Sequence, residues 1–225
     1  TVSLIQGYKV YGAHLGPFKT PARENDPGVA GAEFNAAQLA WLSDYQRGRA
    51  WHWNAIRPGV VGSALSGNTM NLALSIALYA SLCKSLNLPL RFPGSEQTWR
   101  SIVDYTDAEL LADATLWAAT SSSAENQAFN VNNGDVWRWS ELWPLIARWF
   151  GLECAPPVRL SFQQMFKDYQ PAWRELARHH RLVETDILQV NDGQFADFVF
   201  SWDYDMFGDG SKLRRAGFWR MQATD

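Results

Sequence analysis

The chain opens on an apolar and β-branched run, Val2-Ser3-Leu4-Ile5-Gln6-Gly7-Tyr8-Lys9-Val10-Tyr11, bounded by Gly12, and this pattern predicts a buried strand. Residues 12–32, rich in glycine, proline and charge, predict a loop. From Glu33 to Gln46 the apolar positions Phe34, Ala37, Leu42 and Tyr45, with Leu39 and Trp41 between them, predict a helix that stops before Gly48. Trp51 to Ile56 returns to strand character. Strand, loop, helix, strand is the order of a crossover unit, in which a parallel sheet is covered by helices.

Further along, Asn68 stands where it can cap a long helix running to about Leu86. Thr106-Asp107-Ala108-Glu109 has the form of a capping box ahead of Leu110, Leu111, Ala114, Leu116 and Trp117. Ala128 to Val131 predicts a short strand, Asn133-Gly134 a turn, and Ser140 to Phe150 a helix ended by Gly151, with Trp139 and Trp143 on one face. After Ala155-Pro156-Pro157 the character turns helical: about 161–181 with an interruption near Pro171, then 193–207, then 211–216. No repeat of fixed period is present, and the only low-complexity tract is Ser121-Ser122-Ser123. The fold class expected is α/β: the later strands of a Rossmann-like, doubly wound parallel sheet with a helical substrate-binding cap. Residues 1–155 would form the later part of that Rossmann-like domain with interleaved segments of the cap, and 156–225 the mainly helical cap.

Composition narrows the function classes. A chain of 225 residues is long enough to bury roughly 70% of its unfolded surface. The net charge of −3, with both signs scattered, offers no basic stripe for nucleic acid and no polybasic patch for a membrane. The longest apolar run, Leu72 to Cys83, is broken by Ser75 and Ser81 and is too short to span a bilayer, and no signal-peptide pattern is visible. Two cysteines, Cys83 and Cys154, suggest neither a disulfide framework nor a thiolate cluster, so a reducing cytoplasm is the expected compartment. Twelve tryptophans favour an aromatic core, with a minority lining a cavity for a bulky apolar ligand.

Three stretches carry a family likeness: Trp53-Asn54-Ala55-Ile56-Arg57-Pro58-Gly59-Val60-Val61-Gly62, then Leu86-Asn87-Leu88-Pro89-Leu90-Arg91-Phe92-Pro93-Gly94, then Asn126-Gln127-Ala128-Phe129-Asn130-Val131-Asn132-Asn133-Gly134-Asp135. In order and spacing they resemble the progesterone 5-beta-reductase and iridoid synthase-like branch of the extended short-chain dehydrogenase/reductases. The resemblance runs from about Gly7 to about Phe218 and matches the later part of a family member. It implies an NADPH-dependent reductase of an enone or carbonyl in a hydrophobic small molecule. The family's active-site lysine falls on Lys9, within Gly7-Tyr8-Lys9-Val10-Tyr11. Pro58, Gly59 and Val61 match the segment that contacts the nicotinamide, as Lys9 matches the group that supports the oxyanion donor and the ribose. The family's Phe-Tyr-Tyr segment falls on Phe34-Asn35-Ala36, so the resemblance puts Asn35 where a catalytic tyrosine is expected. An amide can donate a neutral hydrogen bond but delivers no proton readily. Tyr8, Tyr11 and Tyr45 are the phenols available to replace it.

Other chemistry finds little support. Gly12-Ala13-His14-Leu15-Gly16 and Gly208-Asp209-Gly210 lack the third glycine and the strand-to-helix setting of a phosphate-binding turn. His14, His52 and the pair His179-His180 lack metal-ligand spacing, and Asp203, Asp205 and Asp209 fail the calcium-loop pattern, so no metal site is expected. No nucleophile elbow occurs. The resemblance implies a reductase, with NADPH as cofactor, a hydrophobic small molecule as partner and a homodimer as a candidate assembly; the alternative is a redox-silent scaffold that binds or rearranges an apolar ligand, having lost the glycine-rich turn and the catalytic tyrosine.

Overall fold

A computed structural model describes residues 1–29, 33–63 and 67–225. In chain order its elements begin β1 (Val2–Ile5), a 3-10 turn (Tyr8–Tyr11), α1 (Phe34–Gln46), β2 (Trp53–Pro58), β3 (Val60–Gly62), α2 (Leu72–Ser85), β4 (Leu90–Arg91) and α3 (Glu96–Arg100). There follow β5 (Ile102–Val103), β6 (Tyr105–Asp107), α4 (Ala108–Thr120), β7 (Gln127–Val131), β8 (Trp137–Arg138), α5 (Trp139–Phe150) and β9 (Cys154–Ala155). The last are α6 (Phe162–Asp168), α7 (Gln170–His179), α8 (Ile187–Val190), α9 (Gln194–Phe200) and α10 (Ser211–Arg215). The chain divides into two compact units whose sequences interleave: residues 1–61, 103–136 and 205–224 form the first, and 62–102, 137–204 and 225 the second.

The first unit is built on a three-stranded sheet in the order β1-β2-β7, parallel throughout. Ser3 lies beside Asn54, and Arg57 beside Asn130. The middle strand is buried from Asn54 to Pro58, as expected of a parallel strand covered on both faces. Alternation gives its faces different chemistry. Ile56 joins Phe129 and Val131 of β7 in a core closed by Leu110, Ala114 and Ala118 of α4 and by Leu213 and Phe218. Trp117 adds an edge-to-face contact to Phe129 at 5.7 Å. Arg57 and Asn130 lie together in a polar layer joined through the Tyr11 hydroxyl. At β7 the edge is covered by side chains: Lys212 Nζ donates to the Ala128 carbonyl, and the Asn130 N–H donates to Glu24 Oε1. Beyond β1 no further strand is found among the described residues, and Val2 and Ile5 are 41% and 51% exposed.

The second unit is mainly helical, with the short parallel pair β4 and β9. Its centre is aromatic. Phe92 meets Trp99, Trp139, Trp143 and Phe200 at ring separations of 5.1 to 5.6 Å, distances favourable for tilted and edge-to-face packing. Trp143 sends its indole N–H to the Leu90 carbonyl. Trp139 and Trp143 share one face of α5, and Gly151 ends that helix in the left-handed region at φ 68°, both as predicted.

Several sequence expectations change. The predicted strand from Val2 to Tyr11 stops at Ile5, because Gly7 turns at φ 101° and Tyr8–Tyr11 coil into a 3-10 turn. The predicted loop 12–32 contains neither helix nor strand over its described part, and 30–32 lie outside the described residues. Asn71, not Asn68, caps α2 by accepting from the Leu74 N–H. Asp107 caps α4, since Thr106 is buried and gives its hydroxyl to the Val131 carbonyl. Pro171 sits in the first turn of α7, where a missing N–H costs nothing, and the helix predicted over 193–207 ends at Phe200. On α1 only Leu42 is buried, while Phe34 and Trp41 are 74% and 64% exposed. No described helix is long and apolar enough to cross a membrane, and no described group of three or more His, Cys, Asp or Glu could hold a metal ion.

Phe129→Ala removes a ring buried between α4 and the sheet and should cost roughly 3–5 kcal/mol. Trp41→Ala on exposed α1 should stay within about 0.5 kcal/mol. Urea unfolding of the two variants followed by circular dichroism checks the contrast.

Candidate active site at the carboxyl ends of the strands

Open parallel α/β sheets bind ligands beyond the carboxyl ends of their strands, and the residues singled out from the sequence gather there in the first unit. After β1 the chain passes Gln6, turns at Gly7 and enters the Tyr8–Tyr11 turn. A Cβ on Gly7 would sit 3.5 Å from the Pro58 carbonyl oxygen, so this turn lies against the end of β2. Gly59 follows Pro58, its N–H donating to Thr106 Oγ1 at 3.1 Å.

Gly59 is required for space. A Cβ there would come within 2.3 Å of Asp104 Oδ1 and 3.5 Å of the Tyr8 ring. The Asp104 carboxyl is buried, and its Oδ2 alone accepts three hydrogen bonds: from the Tyr8 hydroxyl at 2.6 Å, from Asn132 Nδ2 at 3.0 Å and from the Gly208 N–H at 3.0 Å. Its Oδ1 has no hydrogen-bond partner. Burial pushes this carboxyl up to about 6 despite those donors, which pull the other way. Burial first, and then the charge and hydrogen bond of Asp104, hold the Tyr8 phenol well above its usual range.

A second polar layer lies beside the first. The Arg57 guanidinium donates to Gln6 Oε1, to the Tyr11 hydroxyl and to the Glu24 carbonyl, at 3.0 to 3.1 Å. The Tyr11 hydroxyl donates in turn to Asn130 Oδ1 at 2.7 Å. Burial lifts the Tyr11 phenol to about 12, with the nearby Arg57 charge opposing, and burial also raises the Glu24 carboxyl.

Lys9 is exposed within the 3-10 turn, and its ammonium has no hydrogen-bond or ion-pair partner among the described residues. Asn35 lies in the first turn of α1, its Nδ2 donating to Glu33 Oε1 at 2.8 Å. Gln6 ties that helix start to the end of β1 by donating to the Asn35 carbonyl at 2.7 Å, while its own Oε1 accepts from Arg57. Gln6 thus links Asn35 to β2. Pro58 is buried, and Gly59 and Val61 are half-buried.

None of the three phenols named as replacements is free at this site. Tyr8 and Tyr11 are buried and engaged, and Tyr45 stacks on Trp41 at 5.1 Å on the exposed face of α1. The two glycine clusters have structural duties. Gly12 closes the 3-10 turn at φ 86°, and a Cβ on Gly208 would meet the Tyr8 hydroxyl at 2.6 Å. Sequence reasoning missed Asp104, Gln6 and Asn132. An acidic residue set between Val103 and Tyr105 in a β-branched and aromatic stretch was the available signal for Asp104. The second unit has a cavity of its own, about 440 Å³, with Leu82, Leu86, Leu88, Leu160 and Met165 among its lining residues.

A parallel sheet under helices, with its polar groups collected at the strand ends, defines a Rossmann-type α/β protein. The chain belongs to the PRISE-like Rossmann-fold family, whose model matches residues 1–202. It is 32% identical over 223 residues to an (S)-8-oxocitronellyl enol synthase of Nepeta cataria, covering 96% of this chain and 55% of that protein. A short chain dehydrogenase of Penicillium aethiopicum is 36% identical over 186 residues, covering 81% of this chain and 48% of that protein. The chain spans about half the length of the curated relatives it matches. Among solved structures, the terminal R domain of the myxalamid PKS-NRPS pathway superposes with a TM-score of 0.58 at 17% identity, covering 99% of this chain and 54% of that one. RMD of Pseudomonas aeruginosa, complexed with NADPH, gives 0.58 at 15% identity, covering 99% and 61%. These two likenesses concern the fold.

Two outcomes are expected. Gly59→Ala, whose methyl group meets a buried carboxyl, should destabilise the protein by roughly 1–3 kcal/mol. The second concerns pH. The folded Asp104 carboxyl holds its proton more tightly than an unfolded one, so its contribution is intact below about pH 4 and is lost as pH rises through about 6. The parent should therefore lose up to about 3 kcal/mol relative to Asp104→Asn between pH 4 and 6.5. Urea midpoints of the pair across that range measure it; a constant difference would show that the carboxyl titrates normally.

Proposed function

We propose that the chain supplies the nicotinamide and substrate end of an NADPH-dependent reductase acting on an enone or carbonyl of a hydrophobic small molecule. The observation that carries this reading is the convergence of Lys9, Asn35, Pro58 and Gly59 at the carboxyl ends of β1 and β2, in a chain with (S)-8-oxocitronellyl enol synthases among its relatives. In this reading residues 1–155 carry the cofactor side with interleaved substrate segments, and 156–225 mainly the wall of the substrate pocket.

The residues present fit the nicotinamide end. Gly59 brings no side chain of its own, half-buried Val61 provides apolar surface beside buried Pro58, and the unpartnered ammonium of Lys9 belongs to the exposed part of the 3-10 turn. Such a cofactor supplies a hydride when bound. The oxygen that becomes negative needs a donor in a site shielded from water. Lys9 offers a cation for it, and the Asn35 side-chain amide, one N–H of which donates to Glu33, offers its other N–H, with the Asn35 main-chain carbonyl held by Gln6. Arg57 has the polar layer around Tyr11 and Gln6 as its role and remains outside the chemistry.

The second reading, a redox-silent scaffold for an apolar ligand, draws on two observations: Asn35 where the family likeness places a tyrosine, and the apolar cavity of the second unit. Melting temperature under titration by NADPH and NADH separates the readings. A ligand that binds only the folded state stabilises it by about 2.7 kcal/mol at a hundred times its dissociation constant. The reductase reading expects an upward shift, and no shift with either nucleotide sinks it. With an enone substrate, Lys9→Ala should lower kcat/KM at least tenfold, about 1.4 kcal/mol, and Asn35→Tyr, which introduces the phenol, should raise it.

A further inference from the structure

We propose that Asp104 is the positioning residue of this site: its carboxyl sets the Lys9-bearing turn against the Pro58–Gly59 turn, and the ionisation of that carboxyl moves the two turns together. The inference deepens the reductase reading by naming how its site is held and regulated, and for its functional consequence it rests on that reading.

The geometry is unusual in one respect. A carboxylate normally spreads its donors over both oxygens, yet here one oxygen takes all three and the other none. The three donors come from separate parts of the chain. Tyr8 precedes Lys9, Asn132 follows β7, and Gly208 lies in the segment before α10. The unpartnered Oδ1 faces the α-carbon of Gly59, with room for no side-chain atom between them. On the other side of Gly59, Thr106 accepts its N–H and bonds the Val131 carbonyl. Gly59 is thus held between two residues of one short stretch, and Lys9 is the immediate neighbour of the phenol that grips the same carboxyl.

A buried polar atom without a partner calls for an explanation. With Oδ2 taken by three donors, Oδ1 is the oxygen left to carry the proton. The neutral acid costs less there than the anion, since loss of the proton leaves an unsolvated negative oxygen against the backbone that leads to Val61. Of the titratable groups, Tyr8 on the 3-10 turn and Asp135 after β7 act on the carboxyl; Tyr11 packs on Tyr8 at 6.0 Å and bonds Arg57 of β2, and Asp209 follows Gly208 in sequence. Asp135 pushes the Asp104 proton affinity up, as burial does. Tyr8 holds its own proton throughout the neutral range, so within the contact only the carboxyl changes charge near pH 6.

Backbone amide resonances of Gly59 and Lys9 in the ¹⁵N-labelled chain, followed from pH 4.5 to 7.5, test this without any assumption about activity. Both should shift with a shared midpoint near 6, and both shifts should vanish in Asp104→Asn. His14→Gln should leave the midpoint in place, separating the carboxyl from the histidine nearest Lys9 in sequence. Amides that do not move, or that move equally in Asp104→Asn, overturn the proposal. If Asp104→Asn fails to fold, the parent and His14→Gln decide alone: a shared midpoint that survives loss of the imidazole supports the carboxyl, and one that disappears overturns it. NADPH titration adds the functional arm. The dissociation constant should rise at least tenfold in Asp104→Asn, and that rise should be absent at pH 5, where the parent carboxyl is itself neutral; an equal rise at both pH values would mark general structural damage and overturn the positioning role. A parent that binds no NADPH fails the reductase reading, and the resonance shifts then still decide the positioning claim.

Discussion

The first unit depends on the pairing of β2 with parallel strands on both sides. A strand in that position has its backbone groups spoken for laterally and both faces covered, so it runs as a continuous buried segment and can meet solvent or ligand only at its ends. Every other choice in the unit follows. Ile56 selects α4 and the Phe129 ring for one face; Arg57, one position on, faces a polar layer and is satisfied by Gln6, Tyr11 and Glu24. The carboxyl end, Pro58-Gly59, is then the point where a buried strand becomes available to chemistry.

That arrangement makes the site inexpensive to build and sensitive to small changes. The residues that touch Gly59 come from β6, from Asp104 just before it and from the 3-10 turn, and each is fixed by hydrogen bonds made to some other part of the same unit. Most of the site is buried, the Asp104 carboxyl and the Tyr8 phenol included. Lys9 and Asn35 are the exceptions, one with its ammonium unpartnered in solvent and the other half-buried at a helix start.

Much of this architecture was legible in the residues. The crossover order, α5 with its left-handed Gly151 and aromatic face, and the family likeness through Arg57-Pro58-Gly59 all follow from local pattern, because each depends on neighbours in sequence. What escaped the pattern depended on distant partners. Tyr8-Lys9-Val10-Tyr11 reads as strand by composition, yet Gly7 turns it and the two phenols find Asp104 and Asn130 about a hundred residues away. Thr106 looks like a cap until the Val131 carbonyl claims its hydroxyl. Asp104 carries no local sign of its role beyond being charged in an apolar setting, since its three donors converge only in the folded chain.

The two edges of the sheet are unlike. At β7, Lys212 occupies the Ala128 carbonyl and Glu24 the Asn130 N–H, so the polar groups that would pair with another strand are already taken, a familiar protection against unwanted pairing. β1 has no strand beyond it among the described residues and shows Val2 and Ile5 to the surroundings. The sheet is therefore closed to a further strand at Ala128 and Asn130 and, among the described residues, open to one along β1.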